Sequence, residues 1–276
     1  MSFEGIIKPD KSMVTYGSYL KVPELLSLQV PLSSPEEHDE TLFIIIHQVY
    51  ELWFKQILHE LNLAETYLSQ KNLIMFNKAI RRVITIQEVL TKQVDILETM
   101  TPVDFNRFRE RLNPASGFQS YQFRELEFRM GIRDNRYLKY YEKEPDKGAR
   151  LESFLSQPSF YDLFLSYLAQ EGHAISEHVL NRDLSKSYES SEEVRNIFIN
   201  IYKNADQHFE LYMVLESMMD LDQDFTLWRY RHVAMVERMI GRRMGTGGSS
   251  GVKYLESTLA KRFFPEIWEA RSYLGE

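Results

Sequence analysis

Residues 42–68 read LFIIIHQVYELWFKQILHELNLAETYL, and their spacing decides the fold class. Leu42, Ile46, Val49, Trp53, Ile57, Leu61, Ala64 and Leu68 recur at steps of three and four, the period of one helix face. Just upstream, Ser34-Pro35-Glu36-Glu37 predicts the helix start, with Ser34 as cap, Pro35 at the first helical position and Glu37 closing a capping box. A second helix is predicted to begin after Asn72 and run to about Met100, its inner face made by Ile80, Val83, Ile84, Val89 or Leu90, Val94 and Leu97. Thr101-Pro102 opens a shorter one. Asn113 to Gly117 reads as a loop, and the helix after it runs through Arg129 to a stop at Gly131. From Arg133 to Gln157 the pattern suggests short helices broken by Pro145 and Gly148. Pro158 opens another that ends near Gly172, and His173 to Ser190 is irregular. A long helix is expected from Ser190 or Ser191 to about Met219, a break at Asp220 to Asp224, and a last long helix to Ile240. The stretch from Gly245 to Gly251 is a glycine-rich loop, followed by a C-terminal helix interrupted at Pro265. No strand alternation of useful length, internal repeat or dividing linker is visible. The expectation is all-α: a single domain, 1–276, of bundled long helices.

Composition narrows the chemistry. The chain has 276 residues, 43% hydrophobic, with a net charge of -7, which argues against a broad nucleic-acid surface. Cysteine is absent, which excludes disulfides, thiolate-bound zinc, iron–sulfur clusters and covalently attached c-type heme. The longest strongly apolar run, Leu42 to Ile46, is far short of a membrane span, and MSFEGIIKPDKSM lacks the apolar core of a secretory signal. A cytoplasmic protein with neither membrane nor nucleic-acid partner is expected. Seventeen Phe and 16 Tyr allow the helices to hold a planar guest between them.

Four places could carry chemistry. Phe225, Trp228, His232, Met235 and Met239 fall at helical spacing, which sets the His232 imidazole in an apolar stripe. It is either a core histidine bonded to a carbonyl or an axial ligand to iron. Arg229, Arg231, Arg238, Arg242 and Arg243 crowd that helix end, either as a solvated basic terminus or as partners for heme propionates. His47 lies one turn after Phe43 and one turn before Glu51, with which it can pair on the surface or in a site. Phe105 and Arg109 share a helix face; guanidinium beside an aromatic ring suits a flat guest with a carboxylate, although a surface arginine has the same pattern. The glycine loop is a plain turn or a lid; it lacks the Gly-Lys-Ser/Thr of a phosphate-binding loop. Neither H-E-x-x-H nor a Glu-x-x-His pair is present.

Five ordered blocks join these features. YGSYL (16–20), HDETLFIIIHQVYELWFKQILHEL (38–61), LETMTPVDFNRFRERLNPASGFQS (97–120), LWRYRH ending at His232 and GTGGSSGVKYL (245–255) make the chain resemble the tryptophan 2,3-dioxygenases along nearly its whole length. The resemblance implies a tryptophan/indoleamine dioxygenase-like fold with one heme b per subunit. It implies an enzyme that cleaves the indole C2–C3 bond of L-tryptophan with O2 to give N-formylkynurenine, the first step of tryptophan catabolism by the kynurenine pathway. It implies His232 as the iron ligand, with Ser116 and Gly117 near the heme's other face. His47 would meet the indole N–H, Phe43 and Phe105 would wall the ring, Arg109 would take the carboxylate, and Thr246 the ammonium group. Tyr16, Tyr19 and Leu20, within an N-terminal segment 1–33, would enter a neighbouring subunit's pocket in a homotetramer. Some bacterial members carry Tyr where this chain has Phe105; a phenol could add a hydrogen bond there and phenyl cannot, so affinity or substrate preference could differ. An aromatic hydroxylase of the same superfamily, a heme sensor or carrier, and a purely structural bundle are the competing readings. Product analysis, turnover and color separate them.

Overall fold

The Asn72 side chain accepts the Met75 backbone N–H at 3.1 Å and so starts the second of two long helices joined by a tight turn. In the computed structural model, which describes residues 14–247 and 250–275, the helices are α1 (Tyr16–Leu20), α2 (Val22–Leu25), α3 (His38–Ser69), α4 (Leu73–Leu97), α5 (Pro102–Phe108), α6 (Tyr121–Arg129), α7 (Pro145–Phe154), α8 (Phe160–Gln170), α9 (Glu177–Leu180), α10 (Glu192–Lys203), α11 (Phe209–Ile240), α12 (Val252–Glu256) and α13 (Pro265–Ala270). Short 3-10 turns fill in between, and no strand occurs among the described residues. Residues 1–13, together with Gly248 and Ser249 of the glycine loop, lie outside the described residues.

Helix α4 packs along both α3 and α11, so the three long helices form the frame. The larger apolar core holds Ile57, Leu61, Phe76, Ile80, Phe164, Phe198 and Leu215, each buried to within 1% of completely. Each such side chain stabilises the fold by about 1.5–3 kcal/mol. A smaller core of Ile46, Val94, Leu97, Met100, Phe108, Met235 and Met239 ties α3, α4, α5 and α11 together at one end. That end carries the cavity described below.

Four sequence expectations change. First, α3 starts at His38, not at Ser34-Pro35, and the Ser34–Pro35 peptide is cis. The Glu40 carboxylate reaches back from the first turn of α3 to the N–H groups of Leu32 and Ser33, at 2.7 and 2.9 Å. The incoming chain is tied there as a non-helical strap. Second, the expected long helix to Met219 is broken at residues 204–208, and α11 runs unbroken through Asp220 to Asp224. Asp222 is fully buried, and its Oδ2 accepts from the Phe263 and Phe264 N–H groups and Trp268 Nε1 at 3.0–3.1 Å. An acidic run that looked like a surface break is therefore helix satisfied by the C-terminal segment. The frame consequently has three long helices, where four were expected. Third, Pro145 opens α7 and Gly148 sits inside it; neither breaks a helix. Fourth, Pro265 opens α13 and does not interrupt a longer helix. Gly131 does stop α6, at φ +94°.

Candidate active site

Beside the smaller core, α3, α6 and α11 leave a cavity of about 310 Å³ that is also lined by residues of the segment 105–118 and by Gly245, Thr246 and Gly251. Phe43, His47, Phe105, Arg109, Ser116, Gly117, His232 and Thr246 all line it. Residues scattered over two hundred positions of sequence thus meet in one place. Tyr16, Tyr19 and Leu20 do not line it; they stand exposed on α1.

His232 projects from α11 about two turns before its C-terminal end. Its ring stacks on Trp228, one turn earlier, with centroids 5.2 Å apart and planes 5° from parallel. Trp228 Nε1 donates to the Tyr50 hydroxyl at 3.4 Å, and that hydroxyl donates to the Leu90 carbonyl at 2.7 Å. Among the described residues, neither nitrogen of His232 has a hydrogen-bond partner. Burial, with a smaller contribution from the His47 charge, pushes its pKa down to about 4. The ring is therefore neutral near pH 7 and keeps a lone pair at the cavity wall. No group of three or more metal-ligating side chains occurs among the described residues. A single imidazole is a poor site for a free ion. It is sufficient for iron that brings four nitrogens of its own in a macrocycle. The apolar wall of Val233, Met235, Val236 and Met239 suits the flat face of such a ring.

His47 counts as exposed, but the surface it shows belongs to the cavity, and protein surrounds the ring. Its Nδ1–H donates to the Phe43 carbonyl at 2.7 Å, which assigns the tautomer and leaves Nε2 as an acceptor. Burial lowers its pKa, opposed by that bond and by the Glu51 charge. His47 and Glu51, whose spacing allows a pair, form no hydrogen bond with each other; the Glu51 carboxylate accepts from Gln122 Nε2 at 2.8 Å.

Phe43, Phe105 and Phe108 make an aromatic corner with centroid distances of 5.4–5.7 Å. Arg109 Nη2 donates to the Met244 carbonyl at 2.5 Å, and no carboxylate pairs with Arg109 among the described residues. Thr246 Oγ1 donates to the Ala115 carbonyl at 2.7 Å. The glycine loop is thus docked on the segment that carries Arg109, Ser116 and Gly117. A Cβ on Gly247 would fall 2.5 Å from Ser116 Cβ, so this close approach needs glycine. Ser116 itself caps the short turn Gly117–Gln119.

Of the five arginines at the end of α11, Arg229 alone lines the cavity. Arg231 pairs with Asp95 and Glu98, Arg242 with Glu237, and Arg243 donates to the Ile240 carbonyl and Asn106. Sequence reasoning missed Arg124 and Glu127, which also line the cavity. All seven residues 123–129 of α6 are buried, so no period marks its charged members.

A family model described as "Tryptophan 2,3-dioxygenase" matches residues 4–156 and 195–274. Among curated relatives, a tryptophan 2,3-dioxygenase of Herpetosiphon aurantiacus is 49% identical over 261 residues, 95% of this chain and 98% of the relative. One of Caulobacter vibrioides is 46% identical over 261 residues, again 95% and 98% of the two chains. One of Bacillus thuringiensis is 45% identical over 271 residues, 98% of this chain and 96% of the relative.

Proposed function

The chain belongs to the tryptophan 2,3-dioxygenase family, and from that premise we propose that the cavity holds one heme b on His232 and L-tryptophan beside it. The chain is an enzyme that oxidises tryptophan. The product is N-formylkynurenine: the indole C2–C3 bond breaks, and both atoms of O2 enter the product. This is the entry step of the kynurenine pathway. The observation that carries the reading is the pairing, in one cavity, of a neutral imidazole without hydrogen bonds and a guanidinium without a carboxylate.

The roles follow from the side chains. Heme held by His232 would supply the chemistry with dioxygen. Arg109 gives up the Met244 carbonyl and takes the substrate carboxylate in a charge-assisted pair. Thr246 turns from Ala115 toward the ammonium group. Phe43 and Phe105 fix the indole plane, and His47 Nε2 accepts the indole N–H. Neutral imidazole is far too weak a base to remove that proton, so His47 orients the ring. Ser116 and Gly117 line the same cavity and would border the bound heme. Catalysis by these residues is positioning.

The whole chain then acts as one heme dioxygenase domain in a cytoplasmic homotetramer. Tyr16, Tyr19 and Leu20 of the segment 1–33 complete a neighbour's pocket; their exposure supports this. No helix among the described residues is long and apolar enough to cross a membrane. The test is product analysis after reaction under isotopically labelled O2. N-formylkynurenine carrying two labelled atoms is expected. A hydroxylated indole would favour a monooxygenase, and bound heme without turnover a carrier.

A further inference from the structure

The inner wall of the cavity holds a second cationic site, remote in character from Arg109. Arg124 and Arg229 are 5% and 3% exposed, and both line the cavity. Arg124 Nη1 pairs with Glu127 at 2.5 Å, with its guanidinium between the rings of Phe123 and Tyr137. Arg229 Nη1 donates to the Lys261 carbonyl at 2.9 Å, while Nη2 stands 4.0 Å from the same Glu127. Among the acids, Glu127 exerts the largest attraction on half-buried Lys261. Three cations thus lean on one carboxylate. Nearby Asp134 is gripped by Arg136, and Asp222 faces three N–H donors of the C-terminal segment. Arg124 Nε and Arg229 Nη2 are buried with no acceptor. Buried charge and unmet donors of this kind are unfavourable unless an anion completes them.

On the heme reading above, we infer that this wall is the seat of the porphyrin's two propionate carboxylates, with Arg124 and Arg229 as their partners. Arg109 follows α5, whereas Arg124 and Arg229 come from α6 and α11, so one cavity is lined by two sets of cations on different elements, which suits two anionic guests. Arg109 is half-buried and bonded to the Met244 carbonyl just before the glycine loop, as suits a guest exchanged at every turnover. Arg229 lies one turn from His232 on the same helix and is buried, as suits a resident group gripped through iron and carboxylates together.

The experiment is a Soret-band titration of the full chain with hemin and with its dimethyl ester, which has the same ring and iron but no carboxylate charge. Hemin is expected to bind at least about tenfold more tightly, the scale of one charge-assisted pair. Arg124→Met should lose about tenfold in hemin affinity and change ester affinity by less than about twofold. Equal affinity of the unaltered chain for both porphyrins overturns the inference and leaves the heme reading standing; it requires no variant to fold. Equal loss of both porphyrins in a folded Arg124→Met also overturns it. Failure of both to bind the unaltered chain removes the heme reading and this inference together.

Discussion

Arg109 is held by a single backbone carbonyl at the edge of the cavity. Replacing it with Ala leaves the substrate carboxylate unpaired, so kcat/KM should fall by an amount equivalent to about 2–5 kcal/mol, with heme content unchanged. Steady-state kinetics check this, and an unchanged kcat/KM removes the assignment. His47→Ala deletes one hydrogen bond to the indole, so turnover should drop about tenfold and remain measurable. Complete inactivity with heme and tryptophan both bound would restore His47 as the base. Single residues were legible where a period or a pair exposed them. His232 stood out because it interrupts an apolar stripe at helical spacing, and Arg109 because it follows Phe105 by one turn. Arg124 and Glu127 were not legible. They are two charges among seven consecutive buried residues, and only tertiary packing buries them. The Gln122 side chain that donates to Glu51 was hidden for the same reason, lying 71 positions away.

At the scale of the elements, α3 and α4 were read nearly to their ends, because long amphipathic periods and an Asn cap are local signals. The strap before α3 and the unbroken run of α11 were not, because Glu40 and Asp222 choose partners outside their own helices. Helix α11 carries a testable strain next to that run. Burial, then the charges of Glu88 and Asp220, raise the Asp224 carboxyl to about 6. Its folded pKa lies above the unfolded one, so the folded chain binds more protons, and stability falls as pH rises from about 4 through 6. Asp224→Asn should therefore stabilise the protein at pH 8 by about 1 kcal/mol, a figure discounted for the partial exposure of the group, and by almost nothing at pH 4. Denaturant melts at the two pH values check the sign. Stabilisation confined to acid pH would contradict it.

The whole molecule exposes Tyr16 and Tyr19 at 78% and 76%, with Leu26, Leu28, Val30 and Leu32 also open. A row of large apolar side chains on the arm that precedes α3 fits burial against other copies. The chain should sediment as a tetramer. Tyr16→Ser with Tyr19→Ser should raise KM for tryptophan several-fold, the loss of roughly 1 kcal/mol of contact. A monomer with full activity would remove the shared-pocket proposal. The proposal at this level rests on the family resemblance, since periodicity in one chain says nothing of a neighbour.

On the proposed function, the His232 imidazole binds the heme iron from α11. Resonance Raman spectra of the ferrous protein test it most directly. An iron–imidazole stretching band is expected in the unaltered chain, lost in His232→Gly and regained when free imidazole is added. A band that persists unaltered in His232→Gly, or a chain that takes up no heme, would contradict the account.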